Sequence, residues 1–121
     1  MLAEQMKKNA IVHLTFQFSL LAIEYCQQLE KGQKYIIARQ LLKSSTGIGA
    51  NVMEAQNAES KSDFIHKMKI AAKEASETLY WLLLCRESNG FPPVGTLIEK
   101  VEEINKILGR ILISSKRSEN T

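Results

Sequence analysis

Asp63 and His66 stand three residues apart in a segment with helical periodicity, the spacing that puts a carboxylate and an imidazole on one helix face. Carboxylate-bridged metal sites in helical bundles use two such pairs and add carboxylates from two further helices. This sequence holds one acidic-x-x-His pair, and its other histidine, His13, has no ligand at matching spacing. On a helical wheel His66 falls opposite Phe64 and the apolar seam, and so turns to solvent. No metal and no other cofactor is expected.

Nucleophilic chemistry is equally poorly served. Cys26 and Cys85 lie far apart, outside any CxxC pattern and within apolar runs where a thiolate is disfavoured. They read as buried free thiols, which fits a reducing cytoplasm. Ser44 and Ser45 have no histidine near them in sequence. Glu54, Glu74 and Glu77 could form a carboxylate cluster, but helix-surface pairing and capping are the commoner uses of such residues. Gly47-Ile48-Gly49 lacks the third glycine, the preceding strand and the Gly-Lys-Ser/Thr that phosphate-binding loops require. It reads as a close-packed helix segment. No catalytic residue is assigned, and the chain reads as a non-enzyme.

Cations are better placed. Arg39 and Lys43 are four apart and face away from Ile37 and Leu41, and Lys69 and Lys73 share an outer face in the same way. The chain has 121 residues and a net charge of +3. Residues 1–31 and 59–89 are each neutral, residues 90–121 carry +1, and residues 32–58 carry +2. Phosphate contacts need little more than such cations. Aromatic residues do not interleave with them, so base stacking is not indicated. Arg39, Lys43, Lys69 and Lys73 are therefore the candidate nucleic-acid contacts, against the alternative of an ordinary solvated helix surface.

The elements that must position these residues are all helical. Gly32 reads as a helix stop at C′, and Ser60 with Asp63 as a helix start. Asn89-Gly90, Pro92-Pro93 and Gly95 form the strongest break, and Thr96 with Glu99 opens a last helix. Apolar residues then recur in steps of three and four. The first helix carries Ile11, Leu14, Phe18, Leu21 and Tyr25. The second carries Ile37, Leu41, Ser44, Ile48 and Val52 or Ala55. The third carries Phe64, Met68, Ala71, Ala75, Thr78, Leu82 and Cys85, and the fourth Leu97, Val101, Ile104, Leu108 and Ile111. No segment alternates as a strand would. The reading is an all-α, antiparallel up-down-up-down four-helix bundle, one domain over residues 1–121, with residues 114–121 fraying at its end.

Composition agrees: 45% hydrophobic with 2 Pro excludes a disordered chain. No apolar run is long enough for a membrane span. Met6-Lys7-Lys8 before Ala10-Ile11-Val12 mimics a signal-peptide start, but His13, Gln17 and Ser19 interrupt the apolar stretch and no cleavage site follows. A cytoplasmic protein is expected. The third helix carries apolar residues off its seam, Ile65, Leu79 and Leu83 on one flank and Ile70 and Trp81 on the other. A lone bundle does not need them, so Ile70, Leu79, Trp81 and Leu83 are the candidate oligomer interface. In the second helix, Ser44 to Asn51 is small and polar, which lets backbones approach closely. Asn51 and Glu54 beside that approach need partners if buried.

The stretch from Gln40 to Ala55, with Gln-Leu, Lys-Ser-Ser, Gly-Ile, Ala-Asn-Val and Glu-Ala in order, resembles the signature of a family of small bacterial four-helix-bundle proteins. Its members are often encoded by intervening sequences in 23S ribosomal RNA genes. Phe64, Lys67-Met68, Ile70-Ala71, Glu74-Ala75, Glu77-Thr78 and Trp81-Leu82 continue the likeness. Gly47 stands where the family has Ser, and Ala55 where it has Gly. The resemblance implies a homopentamer without enzymatic activity or cofactor. It also implies similarity to the accessory protein of diversity-generating retroelements, a basic pentamer that associates with nucleic acid. The combined expectation is a homo-oligomer that associates with RNA more readily than DNA, with a protein-interaction scaffold as the alternative.

Overall fold

The computed structural model describes residues 9–120. It consists of four helices, α1 (Ala10–Lys31), α2 (Tyr35–Ala55), α3 (Lys61–Glu87) and α4 (Leu97–Asn120), and no strand occurs among the described residues. Two of the four starts are capped by a side chain. Asn9 accepts from the Val12 amide at the head of α1, and Ser60 accepts from the Asp63 amide at 3.0 Å at the head of α3. Asp63 returns the favour one residue further out, accepting from the Glu59 amide at 3.4 Å. Leu97 opens α4 directly after Thr96, with Glu99 in the first turn.

The end of α1 corrects the sequence reading by one residue. Gly32 is the C-cap, with an ordinary φ of −87°, and the left-handed C′ position falls on Gln33, with φ 63°. The Lys34 amide donates to the Leu29 carbonyl at 2.8 Å and the Gln33 amide to the Glu30 carbonyl at 2.9 Å. This is the paired Schellman pattern, so the carbonyls of the last turn are satisfied whichever residue supplies the turn. Gly90 and Gly95 do adopt positive φ, 80° and 57°, in the α3–α4 connection. That loop is anchored by the Tyr25 hydroxyl, which donates to the Pro92 carbonyl at 2.7 Å, and by Phe91, packed on the core beneath the Lys34 ammonium.

Short connections force consecutive helices to run antiparallel. α1 packs on α2, α2 on α3, α3 on α4 and α4 back on α1, while the diagonal pairs do not approach. The most extensive packing is between α2 and α3, the least extensive between α1 and α4. One contiguous core, drawn from all four helices, includes Phe18, Leu29, Leu41, Ile48, Met68, Leu82, Ile104 and Leu108.

The seams of α2, α3 and α4 are largely the expected ones, with Ile37, Phe64 and Ile111 only half-buried at their ends and Ile65, expected off the α3 seam, buried in place of Phe64. The seam of α1 is rotated. Val12, Thr15, Ala22, Cys26 and Leu29 are buried with Ile11, Phe18 and Tyr25, whereas Leu21 is exposed. Thr15 fits inside because its hydroxyl donates to the Ile11 carbonyl at 2.8 Å, which removes the cost of burying it. α2 also approaches α1 at Thr15 through Gly49, where a Cβ would sit 3.4 Å from the Thr15 carbonyl oxygen. Asn51 is half-buried and donates to the Gly47 carbonyl at 2.8 Å, and exposed Glu54 pairs with Lys67 at 3.5 Å.

α4 stays helical to Asn120, and Thr121 lies outside the described residues. Its last turns run beside the start of α3, where Lys116 borders a groove floored by Ile65. Met6, Lys7 and Lys8 also lie outside the described residues.

Candidate nucleic-acid interface

On α2 the small and apolar residues Ala38, Leu41, Ser44, Ser45, Ile48 and Val52 face inward, and helical geometry therefore sends Arg39 and Lys43 outward. Both are exposed, as are Lys69 and Lys73 on α3. None of the four forms an ion pair among the described residues; the pairs there are Lys67–Glu54 at 3.5 Å and Arg86–Glu87 at 3.0 Å. Lys43 is close enough to Glu74 to matter electrostatically. Burial and the neighbouring Glu77 hold the Glu74 carboxyl above its ordinary range, and Lys43 opposes them. Glu74 lies against the bare backbone of Gly47, where a Cβ would stand 3.0 Å from its Oε2.

The four candidates do not share one groove. Lys69 turns toward α4 and lines a groove of about 260 Å³ together with Ser62, Ile65, His66 and Lys116. Lys73 and the α2 pair stand outside it. Lys116, Ser62 and His66 were not singled out for binding from the sequence. The antiparallel α3–α4 hairpin is the signal that finds them, because it brings the end of α4 alongside the first turns of α3.

The candidate interface residues on α3 are partly covered. Leu79 and Trp81 pack against the core, and Ile70 and Leu83 are half-buried. The Trp81 indole donates to Glu77 at 3.1 Å, and its ring meets Tyr80 edge-on at 5.3 Å. The larger exposed apolar set lies on α1: Phe16, Leu20 and Ile23 at 44%, 49% and 37% exposure, with Leu21 on the flank toward α4. The rotated seam explains why the sequence missed it. Reading Leu21 as core left Phe16, Leu20 and Ile23 without a face. Leu21 and Leu20 also line a groove of about 400 Å³ that reaches Lys100 of α4.

Of the groups weighed for chemistry, Cys26 and Cys85 come close enough to act on one another and Glu74 lies beside Glu77, but they do not build a metal-ligating set among the described residues. His13 and His66 are both exposed, and no three His, Cys, Asp or Glu side chains converge among the described residues. Cys26 and Cys85 are buried free thiols. Burial pushes Cys26 up to about 12 and raises Cys85 as well, so at neutral pH both are thiols. No helix among the described residues is long and apolar enough to cross a membrane.

Comparison with known proteins joins this geometry to a family. The sequence profile of the 23S rRNA-intervening sequence protein family matches residues 7–110. Among solved structures, a protein of unknown function from the S23 ribosomal protein family of Bacteroides thetaiotaomicron superposes with a TM-score of 0.80. It is 35% identical, and the match covers 84% of this chain and 97% of that one. No curated protein matches significantly. On a profile that spans most of the four helices and a neighbour sharing both sequence and fold, the chain belongs to the 23S rRNA-intervening sequence protein family.

Proposed function

We propose that this protein is a non-catalytic homo-oligomer that associates with nucleic acid, RNA in preference to DNA, through lysine and arginine side chains. The observation that carries the reading is the state of Arg39, Lys43, Lys69 and Lys73: four exposed cations on adjacent helices, none neutralised by an ion pair among the described residues. A monomer with a charge of +3 has a weak field. Closed cyclic symmetry repeats each cation around a ring, and five copies would carry about +15. The exposed apolar face of α1, with the half-buried Trp81 and Leu83 on α3, supplies surface for such an assembly. The family's tie to 23S rRNA intervening sequences makes RNA the first ligand to test.

Binding through phosphate contacts has low sequence preference and weakens steeply with salt. The test is a filter-binding titration with RNA and with DNA of matching sequence across a salt series. Affinity at low salt that collapses as salt rises is expected. Absence of affinity for either at low salt overturns the reading. The alternative, a scaffold that docks another protein on the α1 face, is separated by a pull-down from nuclease-treated lysate, where only a protein-held partner survives.

A further inference from the structure

The groove between the start of α3 and the end of α4 differs in kind from its neighbours. Lys69 and Lys116 line it from opposite helices, with His66 and the Ser62 hydroxyl beside them and buried Ile65 as its floor. No carboxylate lines it among the described residues. Neither lysine is ion-paired among the described residues. Asp63, the closest carboxylate in sequence, is committed to its own helix start, where it accepts from the Glu59 amide. By contrast, the groove between α1 and α4 is mostly apolar and sets Glu24 against Lys100, and the one between α1 and α2 has no charged lining residue. Two ammonium groups lining one concave, polar site with no carboxylate among its described lining residues raise the local anion concentration, and each offers charge-assisted hydrogen bonds to oxygen.

We propose that this groove seats a backbone phosphodiester of the bound nucleic-acid strand, held between Lys69 and Lys116 with Ser62 and His66 as neutral or charged donors at its edge. The inference rests on the nucleic-acid reading above and gives it a location. Arg39 and Lys43, on the outer face of α2, then act as peripheral charge and not as the seat.

The experiment compares the intact protein with Lys69→Gln/Lys116→Gln and with Lys106→Gln/Arg110→Gln, which removes the same charge from exposed α4 positions that do not line the groove. Binding to a short single-stranded RNA is followed by fluorescence anisotropy over a salt series, with circular dichroism confirming that each variant is folded. Loss of two direct phosphate contacts should weaken binding about tenfold or more at low salt and flatten the log affinity against log salt slope by about 1.4. The α4 control should keep the wild-type slope. If both doubles behave alike while the wild type binds, the groove is not the seat and the broader reading stands. If the wild type does not bind at all, both fall.

Discussion

The hydroxyls of Ser44 on α2 and Thr78 on α3 are hydrogen-bonded to one another at 2.9 Å in the fully buried interface between those helices. Thr78 is also bonded to the Glu74 carbonyl at 2.8 Å, and the bond from Ser44 to the Leu41 carbonyl is long, at 3.4 Å. Each side chain therefore depends on the other for part of its satisfaction. Ser44→Ala and Thr78→Val should each cost about 1 kcal/mol, and the double variant should cost less than the sum by about 0.5–1 kcal/mol. Urea denaturation of the four members of the cycle measures this. Strict additivity would mean that the two hydroxyls do not support each other.

Gly49 brings α2 close to α1 at Thr15, yet the approach is not so tight that only glycine fits. Its missing Cβ would lie at ordinary contact distance, 3.4 Å from the Thr15 carbonyl and 3.5 Å from the Ser19 hydroxyl. Alanine recovers the helix propensity that glycine forfeits, up to about 1 kcal/mol. Gly49→Ala should accordingly be neutral or stabilising in thermal unfolding. Gly49→Leu must push a side chain against α1 backbone and should destabilise by about 2 kcal/mol or more. A destabilising alanine would show that the helices sit closer than this geometry allows.

Gln33 occupies a left-handed position that costs a residue with a Cβ roughly 1–2 kcal/mol. Its amide bond to Glu30 is made by backbone, and glycine would keep it. Gln33→Gly should raise stability by about 1 kcal/mol, while Gly32→Ala, at an ordinary φ with every contact of the added Cβ beyond 3.5 Å, should change little. Reversal of that order would contradict the cap assignment.

These residues also mark how far the sequence is readable. The seams of α2 to α4 are legible because burial repeats at the spacing of a helix and the connections are short. Leu41, Met68 and Leu108 could hardly face anywhere else. Two things escape that logic. Thr15 enters the core because its hydroxyl is satisfied by its own helix, so a polar letter hides a core position and the face of α1 is misjudged toward Leu21. The cap falls on Gln33 because the Schellman bonds are backbone bonds, which no side-chain type announces. The candidate site was half legible. Exposure of Lys69 and Lys73 follows from the α3 seam, but the meeting of Lys69 with Lys116 depends on the register of two antiparallel helices, which spacing within one helix does not contain.

Glu74 gives the fold a pH dependence of defined sign. Burial, then Glu77, raise its carboxyl in the native state, with Lys43 opposing. In the interval above the ordinary carboxylate value, about 4.3, the native protein holds more protons at this position than the unfolded chain. Stability therefore falls as pH rises through that interval, and the loss persists at neutral pH. Glu74→Gln should flatten this segment of a Tm–pH profile and raise Tm at neutral pH. Lys43→Gln should steepen it by removing the opposing cation. Parallel profiles for wild type and Glu74→Gln would remove Glu74 from the account.

Phe16, Leu20 and Ile23 follow one another at steps of four and three along the outside of α1, each more than a third exposed. A stripe of that spacing is the pattern by which one helix lays an apolar face on another, and nothing within the described chain covers it. If it packs against a neighbouring copy, a charge placed in its centre is buried without a partner on assembly and left in water in the monomer. Leu20→Lys should then shift the mass measured by light scattering to that of a single chain, with the helical content and Tm of the isolated subunit nearly unchanged, because Leu20 is outside the core. Trp81→Ala serves as the comparison on α3. Dissociation by Leu20→Lys but not by Trp81→Ala places the contact on α1, and the reverse places it on the α3 flank. A wild-type protein that scatters as a monomer at micromolar concentration would remove the ring, and with it the amplification of charge on which the RNA reading leans.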